Sequence, residues 1–205
     1  MSVEQASFDY EPEINPDVAV ANAKNSMATL AAEIPGEVQV RGDAIPHTVA
    51  STPGSAIKKL RVLHREMDLI NLAVAPYTAC RAECASCCHY NVEIFPIEAE
   101  LIERRTGRGR NKSLGLPQDF HGTPCPFLAG GRCSIYEVRP MVCRKHVALT
   151  KTAYWCHPDR SNSLTLPLAG FDTVDRAFVD IVLKDGRSQT ADIRQFFSAH
   201  NQSKT

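Results

Sequence analysis

The sequence carries no excess of charge. Its 23 Lys and Arg are balanced by 23 Asp and Glu, for a formal net charge of +0. Bulk electrostatics therefore recruits neither nucleic acid nor an anionic membrane. No apolar run approaches the roughly 18 residues that a membrane-spanning helix needs. The N-terminal stretch MSVEQASFDYEPEINPD has no basic n-region and no apolar h-region, so no secretory leader is expected. There is no internal repeat, no P-loop, no G-x-G-x-x-G and no G-x-S-x-G, which leaves phosphate-loop, dinucleotide and serine-hydrolase chemistry without a motif. With 43% hydrophobic and 22% charged residues over 205 positions, the chain reads as one globular domain with an appendage, and the expected location is cytoplasmic.

Cysteine, by contrast, is abundant and clustered. Cys80, Cys84, Cys87 and Cys88 fall within nine residues, and Cys125, Cys133, Cys143 and Cys156 follow. Eight is an even number, and in a secreted chain it would suggest a disulfide framework. In a reducing cytosol thiols stay free, and soft thiolates in fours select zinc, copper(I) or iron–sulfur clusters. The short gaps in the first group let several sulfurs face one centre. Cys87 and Cys88 are neighbours whose side chains are expected to diverge, so one of them would serve a different metal or close the site from the other side. The second group has gaps of seven, nine and twelve residues, unlike the paired knuckles of most zinc sites. Eight thiolates can make two four-ligand sites, or one site with the remaining cysteines free or supporting. His89, His121, His146 and His157 are candidate substitutes for a sulfur, with His146 and His157 best placed. Arg81, Arg132, Arg139, Arg144 and Lys145 adjoin ligands in sequence and would offset the negative charge of a tetrathiolate centre.

The pattern predicts a mainly α fold with irregular loops: a small metal-stapled helical domain over 51–205 behind a largely irregular extension over 1–50. In the extension only Asp17 to about Glu33 has helical character, with a thin apolar stripe of Val20, Met27, Leu30 and Ile34. A long helix is expected over 53–75, capped by Thr52 with Pro53 at its first position. Its face of Ile57, Leu60, Leu63, Met67, Ile70 and Val74 recurs at spacings of three and four. Val92 to Phe95 reads as a short strand. A helix should start at Pro96 and stop at Gly107, with Glu98 and Glu100 in its first turn and Arg104 and Arg105 in its last. The basic stretch Arg104 to Lys112 reads as a solvated loop. Gly130-Gly131 marks a tight turn. Two helices should close the domain, one from Asp172 to Gly186 and one spanning about Thr190 to His200.

The C-x3-C-x2-C spacing of the first group is shared with radical S-adenosylmethionine enzymes. Those enzymes enclose their cluster in a long β/α barrel, and only 117 residues follow Cys88 here. Radical chemistry is excluded on that ground, while an iron–sulfur cluster remains geometrically sensible.

Taken together, Cys80-x3-Cys84-x2-Cys87-Cys88, Phe95-Pro-Ile-Glu-Ala-Glu-Leu-Ile102, Cys125-Pro-Phe-Leu and the run from Gly131-Arg-Cys133 through Pro140-Met-Val-Cys143-Arg144 resemble the YkgJ-type cysteine-cluster proteins, described as zinc- or iron-chelating domains. The resemblance covers about residues 78–157. It implies that Cys80, Cys84, Cys87, Cys88, Cys125, Cys133, Cys143 and Cys156 act together as metal ligands. The cluster is also similar to that of a flagellin lysine N-methylase thought to hold iron–sulfur, which favours a [4Fe-4S] cluster over zinc. The expected function is a metal-binding protein whose centre is mainly structural, with redox or sensing use. The alternatives are a protein-modifying enzyme with a pocket lined by groups such as Tyr136, Glu137 or His146, and an assembly module whose residues 1–50 and helix 53–75 dock on a protein partner.

Overall fold

Helix formation starts earlier than the composition of the extension suggests. Asn15 accepts hydrogen bonds from the backbone N–H groups of Asp17 (2.9 Å) and Val18 (3.4 Å), and Pro16 supplies the first helical position. This N-cap opens α1, Pro16–Glu33, in the computed structural model, which describes residues 13–81 and 84–198. A second helix, α2 (Gly36–Ser51), follows at once. Residues 16–33 and 36–51 are therefore helical, and the extension is not largely irregular over its described part. The sequence pattern underrates α2 because Pro46 sits inside it, where a proline costs about 3 kcal/mol. Ile45 and Val49 offset that cost by burying almost completely against the rest of the chain, at roughly 1.5–3 kcal/mol per side chain. Of the expected α1 stripe, Val20, Leu30 and Ile34 are half-buried and Met27 is exposed, while Ala19 and Ala23 are the fully buried positions.

Helix α3 spans Ala56–Val74, three residues shorter at its start than expected. Gly54 has a φ of +112°, which breaks the helix, and Ser55 rather than Thr52 caps it by accepting from the Lys58 N–H. Its apolar face is otherwise as read, with Leu60, Leu63, Met67, Ile70 and Val74 all buried. Helix α7 (Asp172–Asp185) ends at a left-handed Gly186, and α4 (Pro96–Thr106) at a left-handed Gly107, both as their sequences specify. α2, α3 and α7 pack on one another to form the first core, joined by Ile97 and Leu101 of α4 and Met141 of α5 (Met141–Lys145).

A second, smaller core gathers Val92, Ile94, Ala99, Ile102, Phe127, Ile135, Ile193, Phe196 and Phe197. Strand β1 (Glu93–Ile94) pairs antiparallel with β4 (Ala191–Asp192), and β2 (Leu128–Ala129) pairs with β3 (Arg132–Cys133). The expected closing helix is short. Residues 191–192 are taken up by the β1 pairing, leaving α8 as Ile193–Phe196, although Ile193, Phe196 and Phe197 are buried as the pattern requires; the stretch beyond Ser198 lies outside the described residues. A single turn, α6 (Pro158–Ser161), follows the last cysteine.

Among the described residues no helix is long and apolar enough to cross a membrane. The fold is mainly α, and the cysteine-bearing half has the least regular structure.

One buried group makes the first core acid-sensitive. His64 on α3 is 4% exposed, and its Nε2 has no hydrogen-bond partner among the described residues. Burial, then the charges of Arg144 and Arg139, lower its pKa from 6.5 to about 2. The folded state thus refuses a proton that the unfolded chain accepts, so this group's contribution to stability is intact above pH 6.5 and is lost as pH falls below it. Between pH 7 and pH 5 the wild type should lose about 2 kcal/mol more unfolding free energy than His64→Leu, measured by urea denaturation at both pH values. Equal losses would show that His64 takes up its proton without unfolding.

Candidate metal centre

The eight cysteines are delivered by four irregular segments. Beyond α3 the chain makes a 3-10 turn over Ala75–Tyr77 and then extends to Cys80. There the Ala79 N–H donates to the Ala148 carbonyl at 3.1 Å, and the Ala148 N–H donates to the Cys80 Sγ at 3.4 Å. A second 3-10 turn, Ser86–His89, carries Cys87 and Cys88. The Cys125 N–H donates to the Cys88 carbonyl at 2.7 Å, docking the second cysteine group onto the first. From Cys125 the chain enters the β2–β3 hairpin, where Gly130 (φ +56°) and Gly131 (φ +75°) supply the left-handed turn and Cys133 pairs with Leu128.

Cys143 rides on α5, whose first N–H, that of Met141, donates to Glu98 at 2.8 Å. Glu98 also accepts from the Phe95 N–H at 3.0 Å, so one carboxylate fastens the starts of α4 and α5; its burial raises its pKa to about 7. Cys156 closes a 3-10 turn over Tyr154–Cys156, and its carbonyl accepts from the Tyr90 hydroxyl.

None of the eight is in a disulfide; Cys80 is exposed and the rest are half-buried. Burial raises the thiol pKa of Cys80 and Cys133, brings Cys125 to about 11 and Cys156 to about 12, and lifts Cys143 well above its ordinary value. Cys87 and Cys88 do not diverge as expected. Their thiols share a hydrogen bond, which pulls Cys88 down to about 7 and pushes Cys87 up.

The donor set fits a soft metal, because eight reduced thiols lie in one neighbourhood and a bound cation deprotonates them outright. Among the described residues, however, no three His, Cys, Asp or Glu side chains already converge on a single point.

The candidate histidines serve the surrounding structure. The His89 ring pairs with the Ala85 carbonyl, and His121 Nε2 lies 2.8 Å from the Pro158 carbonyl while its ring stacks on Tyr90. His146 stands edge-on to Tyr90 at 5.3 Å, and burial lowers its pKa. His157 caps α6 by accepting from the Asp159 N–H. Of the cations beside ligands, Arg139 and Arg144 are buried and pair with Asp68 of α3, and Lys145 pairs with Asp175. The charges of Arg139 and Arg144 still act to lower the Cys133 pKa.

In the basic stretch Arg104 to Lys112, Arg104, Arg105 and Lys112 are exposed as expected, whereas Arg108 and Arg110 are half-buried. Arg108 donates to the carbonyls of Pro126 and Phe197, and Arg110 to that of Pro96.

Three residues that the cysteine pattern does not reveal hold the site in shape. Arg194 donates to the carbonyls of Cys88 (3.1 Å), Tyr90 (3.1 Å), Thr123 and Pro124 (3.3 Å). Tyr90 joins Cys156 to His121 and His146. Glu13 accepts from the Thr152 N–H at 2.9 Å, and its own carbonyl accepts from Trp155 Nε1 at 2.6 Å, so the start of the described chain braces the loop bearing Cys156. Arg194 and its ion-pair partner Asp192 had one local signal, the capping box Asp192-x2-Gln195.

The donors of the site are eight free thiols. Residues 79–159, which include all eight cysteines, match the family model CxxCxxCC, described as "Putative zinc- or iron-chelating domain". The matched segment spans about two-fifths of the chain. No curated protein and no solved structure matches the chain.

Proposed function

We propose that the chain is a metal-binding protein in which Cys80, Cys84, Cys87, Cys88, Cys125, Cys133, Cys143 and Cys156 hold iron as a [4Fe-4S] cluster, with zinc as the alternative, and that the metal mainly staples the fold. The observation that carries this reading is where order and thiols coincide. From Gly107 to Phe171 the longest helix has five residues and the strands have two, yet these loops hold Cys125, Cys133, Cys143 and Cys156 half-buried. Elements so short cannot hold themselves in place. Metal–thiolate bonds supply the missing cross-links and couple binding to folding.

Bound metal would contribute soft-ligand cross-linking and, as a cluster, a one-electron couple. The proposal requires reduced thiols, which a cytoplasmic setting would supply.

The largest cavity described, about 510 Å³ between α3 and α4, is lined by Arg61, His64, Arg65, Asp68, Arg105 and Glu137 among others, and no cysteine lines it. It shares Glu137 with the pocket a protein-modifying enzyme would need, but stands apart from the thiols. Partner docking through α3 is limited to its exposed side, where Leu69 and Leu72 lie, because its apolar face is filled by α2 and α7.

Elemental analysis of anaerobically purified protein, with an absorption spectrum, tests the proposal. Iron with acid-labile sulfide and broad visible absorption is the expected result; a colourless protein with stoichiometric zinc supports the alternative ligand set. Protein that folds with neither metal overturns the reading.

A further inference from the structure

Two helices bring arginines to the same cavity. On α3, Ile57, Arg61, His64, Arg65 and Asp68 recur at spacings that keep them on one side of the helix, as do Leu101, Arg104 and Arg105 on α4. These two faces, with the 3-10 turn Tyr136–Val138, line the cavity of about 510 Å³. A chain of net charge +0 thus sets four arginines against two carboxylates, Asp68 and Glu137, around one space.

The charges around that space are unevenly satisfied. Asp68 is already engaged by the buried Arg139 and Arg144. Arg61 makes no hydrogen bond or ion pair among the described residues. Arg65 pairs with Glu66 at 3.5 Å, Arg104 with Glu100 at 2.5 Å and Arg105 with Glu137 at 2.8 Å, but all three arginine side chains are more than half exposed. Exposed pairs of this kind contribute little to stability and exchange partners readily. Each guanidinium also carries five N–H donors, more than one carboxylate can use. His64 is the deeply buried polar group of the lining, 4% exposed, and its Nε2 has no partner among the described residues.

We propose that this cavity binds a small organic dianion, a phosphate monoester or a dicarboxylate, whose oxyanion is gripped by Arg61, Arg65, Arg104 and Arg105. The proposal is independent of the metal-binding reading, since no cysteine lines the cavity. The planar guanidinium fork matches carboxylate and phosphate oxygens in pairs, which a single surface charge does not. The volume is that of a site for a small organic ligand, and a bare inorganic anion would leave most of it unfilled. Ile57, Leu101 and Val138 supply an apolar wall for the organic body. A ligand seated against His64 also gives its Nε2 the partner that the fold does not.

Isothermal titration calorimetry of the anaerobically purified, metal-loaded chain at low salt tests this, with phenyl phosphate and phthalate as probes. One-to-one binding is expected, weakened about tenfold by Arg61→Gln and further when Arg105→Gln is added. Arg176→Gln removes the same charge from an exposed position of α7 outside the cavity, and should change the affinity by less than about twofold. Glu137→Gln should tighten binding, because it frees Arg105 and removes a competing carboxylate; a purely structural role for this exposed side chain would not. All of these positions are exposed, so the variants keep the fold. Tighter binding of phenyl phosphate assigns the site to phosphate monoesters, and tighter binding of phthalate to dicarboxylates. No saturation by about 10 mM of either probe, or equal weakening by Arg61→Gln and Arg176→Gln, overturns the proposal.

Discussion

Arg194→Met should destabilise the protein by about 3–5 kcal/mol, the range for removing one partner of a buried ion pair. Arg194 is 7% exposed and Asp192 4%. Their side chains meet at 2.9 and 3.1 Å, so the pair is desolvated and the charge that remains after substitution has no water to turn to. The guanidinium also donates to four backbone carbonyls from two separate stretches of chain, 88–90 and 123–124, and each would lose a donor. Methionine keeps most of the volume, so the loss reads hydrogen bonding and charge rather than a cavity. Arg194→Lys should recover only part of it, because an ammonium cannot reproduce the planar fork that spans these carbonyls. Urea denaturation of the metal-loaded proteins measures the effect. A loss below about 1 kcal/mol would mean that water or a shifted loop replaces the arginine, and that Arg194 does not position the Cys88 and Cys125 segments.

The elements that were legible in the sequence are those whose ends and faces are set locally. α4 begins at Pro96 and ends at Gly107, α7 ends at Gly186, and α3 buries the face its spacing marks out. The metal-binding character was equally legible, because thiol density is a property of the chain itself. α2 was not, since what stabilises it is burial of Ile45 and Val49 against α3 and α7, helices that begin later in the chain. Arg194 escaped for the same reason, standing 104 residues from the Tyr90 carbonyl it holds. Composition marked Arg108 and Arg110 as surface charge, yet their guanidinium groups answer backbone carbonyls that short, irregular loops leave unpaired. The Cys87–Cys88 contact was misjudged because the alternation of neighbouring side chains holds for extended chain, and these two sit in a 3-10 turn.

Removing the metal should unfold one core and spare the other. Structural zinc contributes about 10–16 kcal/mol in small metal-folded domains, more than most domains possess in total. The second core counts Cys125, Cys133 and Cys143 among its packing partners, whereas the first is built from α2, α3 and α7 with no cysteine in it. Anaerobic chelation followed by hydrogen exchange should therefore cost the amides of Cys125, Asn111 and Ile193, which are bonded to Cys88, Phe196 and Val92 carbonyls, about 10³-fold or more in protection. Protection in α3 and α7 should change by less than about tenfold. α5 should fall between the two, because Met141 packs in the first core while Cys143, two residues on, packs against the second, and Glu98 ties the start of this helix to α4. A loss shared equally by α3 and the loops would make the two cores one cooperative unit, with the metal stabilising the whole chain. Unchanged protection everywhere would mean that the thiols bind metal without supporting the fold, and the staple would then be the network of Arg194, Glu98 and Arg108.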